Sequence, residues 1–294
     1  MPHILKNKNI EVHIDFPNEH YNFSRFDWTG KITDVKFKNI KVSSVESLTC
    51  KNEHHYGKGF YNEFGIDNAL GFNETPIGGW FHKIGIGLLK KEDNTYQINN
   101  NYEIKPAYFK ITSKPNSVFI TCKSDSVNGY SYILEKEIQV HENDFTITYH
   151  LQNTGTKNMS SSEYVHNFIA INNDLISSNY VLNFPFEIKP KLFIETVNPE
   201  QKVEIGQKKI TFKGTPNTPF FFSNLSGNKN VNSKWELTNL NSRITISETG
   251  NFKTNKVNIW GSKHVISPEL FFDIFIKPGE SKKWSRIFKF YNLK

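Results

Sequence analysis

What most constrains this chain is the near absence of helical periodicity in 294 residues. Between Lys105 and Asn153 the runs AYFKITS, SVFITCKSD, YSYILEKEIQVH and DFTITYHLQN follow one another, apolar at alternate places and separated by Pro115-Asn116, Asn128-Gly129 and Asn143-Asp144. Side chains on a strand alternate between its two faces, so each run has one face to bury, and the turn chemistry between them predicts an antiparallel meander. IEVHIDF and GKITDVKFKNIKV precede the meander, and NYVLNFPFEIKP, KKITFKG, KWELTN and SRITISETG follow it at the same spacing. No segment longer than about a dozen residues carries the helical period. Nor does any Pro/Ser-rich linker or fixed-period repeat divide the chain. The expectation is an all-β protein, a large two-sheet antiparallel β-sandwich in which residues 1–294 form one domain.

Composition agrees and removes several functions. Twenty-five Phe, 12 Tyr and 5 Trp against 2 Met suit pleated surfaces better than helix packing. The net charge is +7, but Lys is scattered and Arg occurs only at positions 25, 243 and 286, so the clustered basic face of a nucleic-acid reader is missing. A diffuse positive field instead hints at an anionic small molecule such as a sugar phosphate or uronic acid. Cys50 and Cys122 are too few for a disulfide framework and are read as buried free thiols. No signal-peptide or membrane-spanning pattern is visible, which makes a cytoplasmic location and no membrane partner the expectation; oligomeric state is left open.

The chemistry-bearing residues stand out against this pattern. In SSSEYVHNFIAIN, His166 and Asn167 interrupt a strand where apolar residues are due, and such polar groups cost stability unless partnered. About a hundred residues later, SPELFFDIFIKPGE places Glu269 among apolar neighbours, so a histidine and a carboxylate can meet across a cleft. SRFDWTG brings Arg25, Asp27 and Trp28 together, either as an ion-paired strand end or as a ligand-facing group. From Lys51 to Gly79 little periodicity is visible while aromatics abound, which reads as a long packed loop forming one wall of a cleft, with Glu63 its most interesting carboxylate. GGWFHK adds Trp80, His82 and Lys83 at a strand start. Glu53, His54 and His55 lack metal-ligand spacing, so no metal is expected. GIGLLKK lacks the phosphate-loop spacing.

YVHNF, the late SPELFFDI and the closing IKPGESKKWSRIFKFY together resemble the galactose mutarotase-like superfamily, which includes aldose 1-epimerases. SRFDWTG, GKGFYNEFG and GGWFHKIGIGLL are similar to a bacterial branch of aldose 1-epimerase-like proteins. The resemblance implies a supersandwich fold, with the central-strand histidine and the late glutamate as acid and base. It also marks departures. Better-studied mutarotases carry an arginine in Asn-Arg-Ile and a second histidine in His-Gly-Gly, where this chain has NEFG and GGWFHK. Lys83 and His82 are the candidate replacements, and the family's intervening acidic residue has no counterpart.

The implied function is anomer interconversion of a hexose or hexose derivative, a small-molecule carbohydrate, without metal or organic cofactor. Glu269 is expected as base and His166 as acid. His82, Lys83, Glu63 and Arg25 would orient the sugar, and Trp80 or Trp260 would stack on it. Asn167, on the opposite face of its strand, is read as structural. Two alternatives stay open: a non-catalytic carbohydrate-binding or sensing protein on the same fold, and a glycosidase using Glu63 and Glu269 as paired carboxylates.

Overall fold

The alternating runs close into antiparallel sheets, and no α-helix occurs among the described residues, 3–49 and 55–293, of this computed structural model. A ten-stranded and a seven-stranded sheet form the two large layers of the expected sandwich. A four-stranded and a three-stranded sheet flank them, which the sequence did not separate from the main layers. The meander is present: Tyr108–Lys114, Ser117–Lys123, Tyr132–Val140 and Asp144–Asn153 pair in succession. At one of its turns Asn128 and Gly129 both have positive φ, 55° and 83°, a conformation these residue types adopt at little cost.

The large layers are held face to face by the apolar alternation of their strands. Val12, Ile14, Ile32 and Phe60 from one sheet share a buried cluster with Ile120, Leu134, Ile147 and Phe288 from the other. Phe60 meets Phe145 and Phe288 at ring-centroid distances of 5.6 and 5.0 Å. Each such side chain contributes about 1.5–3 kcal/mol on leaving water. Among the described residues, no helix is long and apolar enough to cross a membrane. Cys122 is a buried free thiol, whereas Cys50, Glu53 and His54 lie outside the described residues.

Two strands at the centre of the seven-stranded sheet position the chemistry. Phe60–Phe64 pairs with Met159–Asn167, whose other edge pairs with Phe272–Ile276. Val265–Leu270 continues along that same edge, bridging Ile169 through Ile266. FYNEF is therefore a fully buried strand rather than part of a loop, which corrects the reading of residues 51–79 as one irregular wall.

Strand alternation now sorts the polar residues. Asn62, Glu163 and Asn167 turn into the space between the large sheets. Asn62 bonds Glu163 and Tyr149, and Asn167 bonds Glu248. Tyr61, Glu63, Tyr164 and His166 turn to the opposite face. There a second aromatic cluster built on Tyr21, Phe26, Phe81 and Phe168 covers the sheet.

Candidate functional site

His166 and Glu269 come together, as their separate landmarks suggested. His166 sits near the end of Met159–Asn167 and Glu269 on the adjoining Val265–Leu270, and each retains only 4 % of its surface exposed. His166 Nε2 lies 3.6 Å from Glu269 Oε1, too far for a hydrogen bond but close enough for both atoms to reach one small group between them. Behind them Ser267 forms a junction. Its Oγ accepts from the Asn167 backbone N–H at 3.0 Å, lies 2.8 Å from His166 Nδ1 and 3.4 Å from Glu269 Oε1. With the hydroxyl hydrogen donated to Glu269 Oε1, the Ser267 oxygen accepts from His166 Nδ1–H, which leaves Nε2 of the neutral imidazole facing the cleft as the nitrogen that gains a proton.

The His166 ring is held by aromatic contact on several sides. Phe168 stacks on it at 4.1 Å, and Trp260 meets it edge-on at 5.4 Å. This apolar enclosure drives both groups toward their neutral forms. Burial pushes the Glu269 carboxyl up to about 8; Glu63 adds to the shift, while Arg25 and Ser267 oppose it. Burial and the Arg25 charge hold the His166 imidazole well below its usual range.

The pair opens into a cleft of about 230 Å³ whose walls include Arg25, Glu46, Asn99, Tyr164, Asn258 and Trp260. Arg25 is its cation. Its Nε donates to Glu63 at 3.0 Å and its Nη1 to Glu46 at 2.8 Å, and its guanidinium lies over Phe26. Burial disfavours the Arg25 charge, but Glu63 and Glu46 outweigh that and raise its pKa. Asp27 and Trp28, neighbours of Arg25 in sequence, turn elsewhere: Asp27 pairs with the buried Lys136, and Trp28 packs near Phe109.

The remaining expected site residues stand behind or away from the cleft. Glu63 is fully buried beneath Arg25, accepting also from Tyr164 Oη at 2.7 Å, with Lys83 Nζ 3.9 Å away. It holds the cation and does not line the cleft, so it is not placed to face Glu269 across a substrate. Lys83 is likewise buried, donating to Tyr96 Oη and the Gly65 carbonyl, and burial brings its pKa down to about 8. It is one layer behind the surface a ligand would touch, which corrects its expected contact with substrate.

His82 points to the other face of the same short strand, against Tyr130 and Tyr132, with neither ring nitrogen in a hydrogen bond of good geometry. Burial pulls its pKa down to about 4, so it is a neutral core residue and not a second histidine of the cleft. Trp80, half-buried at the start of that strand, lines no part of the cleft either. Strand alternation explains the split: residues 82 and 83 cannot face one ligand together.

Tyr164, Glu46, Asn99, Asn258 and Ser267 complete the surroundings without having been singled out as site residues. Tyr164 was within reach of sequence reasoning, because it precedes His166 by two on one strand and must share its face. The others arrive from distant loops and strands and carry no local signal. Among the described residues, no group of three or more His, Cys, Asp or Glu side chains is arranged to hold a metal ion.

No protein-family model matches the chain, and no curated protein matches it by sequence. Solved structures match over nearly its full length. A candidate aldose 1-epimerase from Escherichia coli K12 aligns with a TM-score of 0.64 at 11% identity, covering 100% of this chain and 99% of the other. A galactose mutarotase-like protein from Lactobacillus casei gives 0.62 at 10% identity over 99% and 100% of the two chains. An aldose epimerase homologue from C. elegans gives 0.57 at 9% identity over 100% of both.

Proposed function

We propose that this chain, whose fold is that of the galactose mutarotase-like proteins, acts as a whole, residues 1–294, as an aldose 1-epimerase, interconverting the α and β anomers of a sugar bound in the cleft beside His166 and Glu269. The observation that carries this reading is the 3.6 Å approach of an imidazole Nε2 and a carboxylate oxygen, both buried and both opening to one cleft. Epimerisation at C1 needs a proton taken from O1 and another given to the ring oxygen. The C1–O5 bond then breaks, the aldehyde rotates about C1–C2, and the reverse transfers close the ring on the other face. One acceptor and one donor suffice, and each recovers its original state on reclosure.

In this reading Glu269 takes the O1 proton and His166 Nε2 protonates the ring oxygen. The reactive pair thus holds a single proton, placed on the imidazole. Burial favours the form with that proton on Glu269, so the reactive form is the minority partner in the empty cleft. Sugar binding draws the proton across by offering O1–H to the carboxylate and the ring oxygen to Nε2. Arg25, fixed by Glu63 and Glu46, orients hydroxyls at the far side, and Trp260 offers an apolar wall to a sugar face.

Both forms carry one proton between the two groups, so the pH profile follows the pair and not either residue. Activity is expected to be full between the two apparent pKa values. It falls as pH rises through about 8, where the pair loses its only proton, and falls at the acid end only below the ordinary histidine range, where a second proton is added. Initial anomerisation rates between pH 4 and 10 check this. A rise in rate with pH through 8 would contradict it.

The paired-carboxylate alternative needs two acids facing a glycosidic bond, and the burial of Glu63 under Arg25 argues against it. A non-catalytic sugar-binding protein needs the cleft walls but has no use for the His166–Glu269 approach.

A further inference from the structure

The strands that carry His166 and Glu269 share one register at both ends of their contact. At one end Ile169 and Ile266 exchange both backbone bonds, at 3.1 and 3.0 Å, and at the other Glu163 pairs with Phe272. Counting inward from either end sets Asn167 opposite Pro268 and His166 opposite Glu269. In a regular antiparallel ladder hydrogen-bonded pairs alternate with non-bonded ones. Asn167 and Pro268 are therefore due to exchange backbone bonds, and His166 and Glu269 to form the non-bonded pair, whose side chains lie closest.

Side chains take the place of that backbone pair. Pro268 has no N–H to give. Its carbonyl accepts from Asn167 Nδ2 at 2.6 Å, and the Asn167 backbone N–H goes to Ser267 Oγ at 3.0 Å. At the next bonded position the Leu270 carbonyl accepts from Arg286 Nη2 at 2.9 Å. The reactive pair thus sits at an opening in the ladder spanned by side chains. We propose that Asn167 and Pro268 are positioning residues that hold this opening, keeping His166 and Glu269 far enough apart to act on a sugar instead of on each other. The proposal rests on the epimerase reading of the pair.

Two features support it. Directly opposed residues of a closed ladder have Cβ atoms about 4.5–5.5 Å apart, from which an imidazole and a carboxyl reach each other in a direct hydrogen bond. Here they stop at 3.6 Å. Asn167 also spends both amide hydrogens, on Pro268 and on Glu248 at 3.0 Å, while its Oδ1 is buried without a hydrogen-bond partner. Turning the amide over would set that oxygen against a carbonyl and a carboxylate. A buried unpaired acceptor costs stability, and a residue with an N–H at position 268 would close the ladder without it. The opening is therefore not what the fold alone calls for.

The test compares wild type, Pro268→Ala, Asn167→Ala and Trp235→Phe. Pro268→Ala restores the missing N–H, and Asn167→Ala frees the Pro268 carbonyl for the backbone, so both let the ladder close. Trp235→Phe is the control, because it removes another donor to Glu248, at 2.8 Å, without touching Pro268. Crystal structures of the first two variants are expected to show His166 Nε2 and Glu269 Oε1 drawn to hydrogen-bond length, about 2.8 Å. Saturation-transfer NMR with glucose is expected to show kcat per folded molecule lower by about ten- to a hundredfold, the scale of a small misplacement, with KM moved less than about threefold. Melting temperatures give the folded fraction, and Trp235→Phe is expected to lower the melting temperature with kcat unchanged.

A separation still near 3.6 Å in Pro268→Ala overturns the proposal. So does kcat within about twofold of wild type in both ladder-closing variants, or an equal fall in Trp235→Phe, which would mark a merely structural role. If wild type accelerates no sugar, the epimerase reading fails, and the crystal structures alone then decide whether Asn167 and Pro268 hold the pair apart.

Discussion

Glu269→Gln is expected to lower kcat for anomerisation by about 10²- to 10⁴-fold, the range over which a positioned acid or base contributes. The amide keeps the shape of the carboxyl and can still hydrogen-bond a sugar hydroxyl, so binding should persist. What it cannot do is accept the O1 proton. The alkaline fall in rate near 8, where the pair loses the proton it shares, should also be absent from the residual activity, because the amide cannot hold that proton. Retained activity within tenfold of wild type would show that another group takes the proton. Retained binding with no activity in either protein would mark a sugar-binding role, so kcat and affinity need to be measured together.

Arg286→Leu is expected to be the most destabilising single change outside the apolar core. Arg286 is fully buried between the large sheets, bonded to Glu163 through Nε and Nη2 and to Glu248 through Nη1, and both carboxylates are fully buried as well. Trp284 and Asn62 donate to Glu163, and Trp235 and Asn167 donate to Glu248. Removing the cation leaves two carboxylates facing a dry interior. Breaking a buried pair from one side costs about 3–5 kcal/mol, a large fraction of the roughly 5–15 kcal/mol that separates folded from unfolded states. Chemical denaturation read by Trp fluorescence checks this, and a loss under about 1 kcal/mol would contradict it. Because Asn167 hangs on Glu248 and adjoins His166, any folded population should also anomerise sugars more slowly.

That network shows how far the sequence could be read. WSRIFKFY places Arg286 on the same face as Trp284, Phe288 and Phe290, and an arginine on the buried face of an aromatic strand demands internal carboxylates. Which carboxylates could not be read, because Glu163 and Glu248 lie on strands far away in sequence. The sandwich, the meander and the approach of His166 to Glu269 were legible, since alternation and turn residues encode the first two and the misplaced polar residues hint at the third. His82 and Lys83 were misplaced for a physical reason. Adjacent strand residues face opposite ways, and whether either face meets the cleft depends on Tyr130, Tyr132 and Tyr96, contributed by other segments. Glu63 was noticed as a carboxylate near a ligand, but its burial beneath Arg25 follows only from the pairing of Phe60–Phe64 with Met159–Asn167.

The measurement that bears most directly on the central claim is saturation transfer between the α and β anomeric proton signals of free aldoses and reducing disaccharides, with wild-type protein and His166→Ala. The account predicts exchange that grows in proportion to wild-type concentration and returns to the uncatalysed rate in His166→Ala. Exchange no faster with wild type than with buffer, for every sugar tried, or equal acceleration by wild type and His166→Ala, would contradict it.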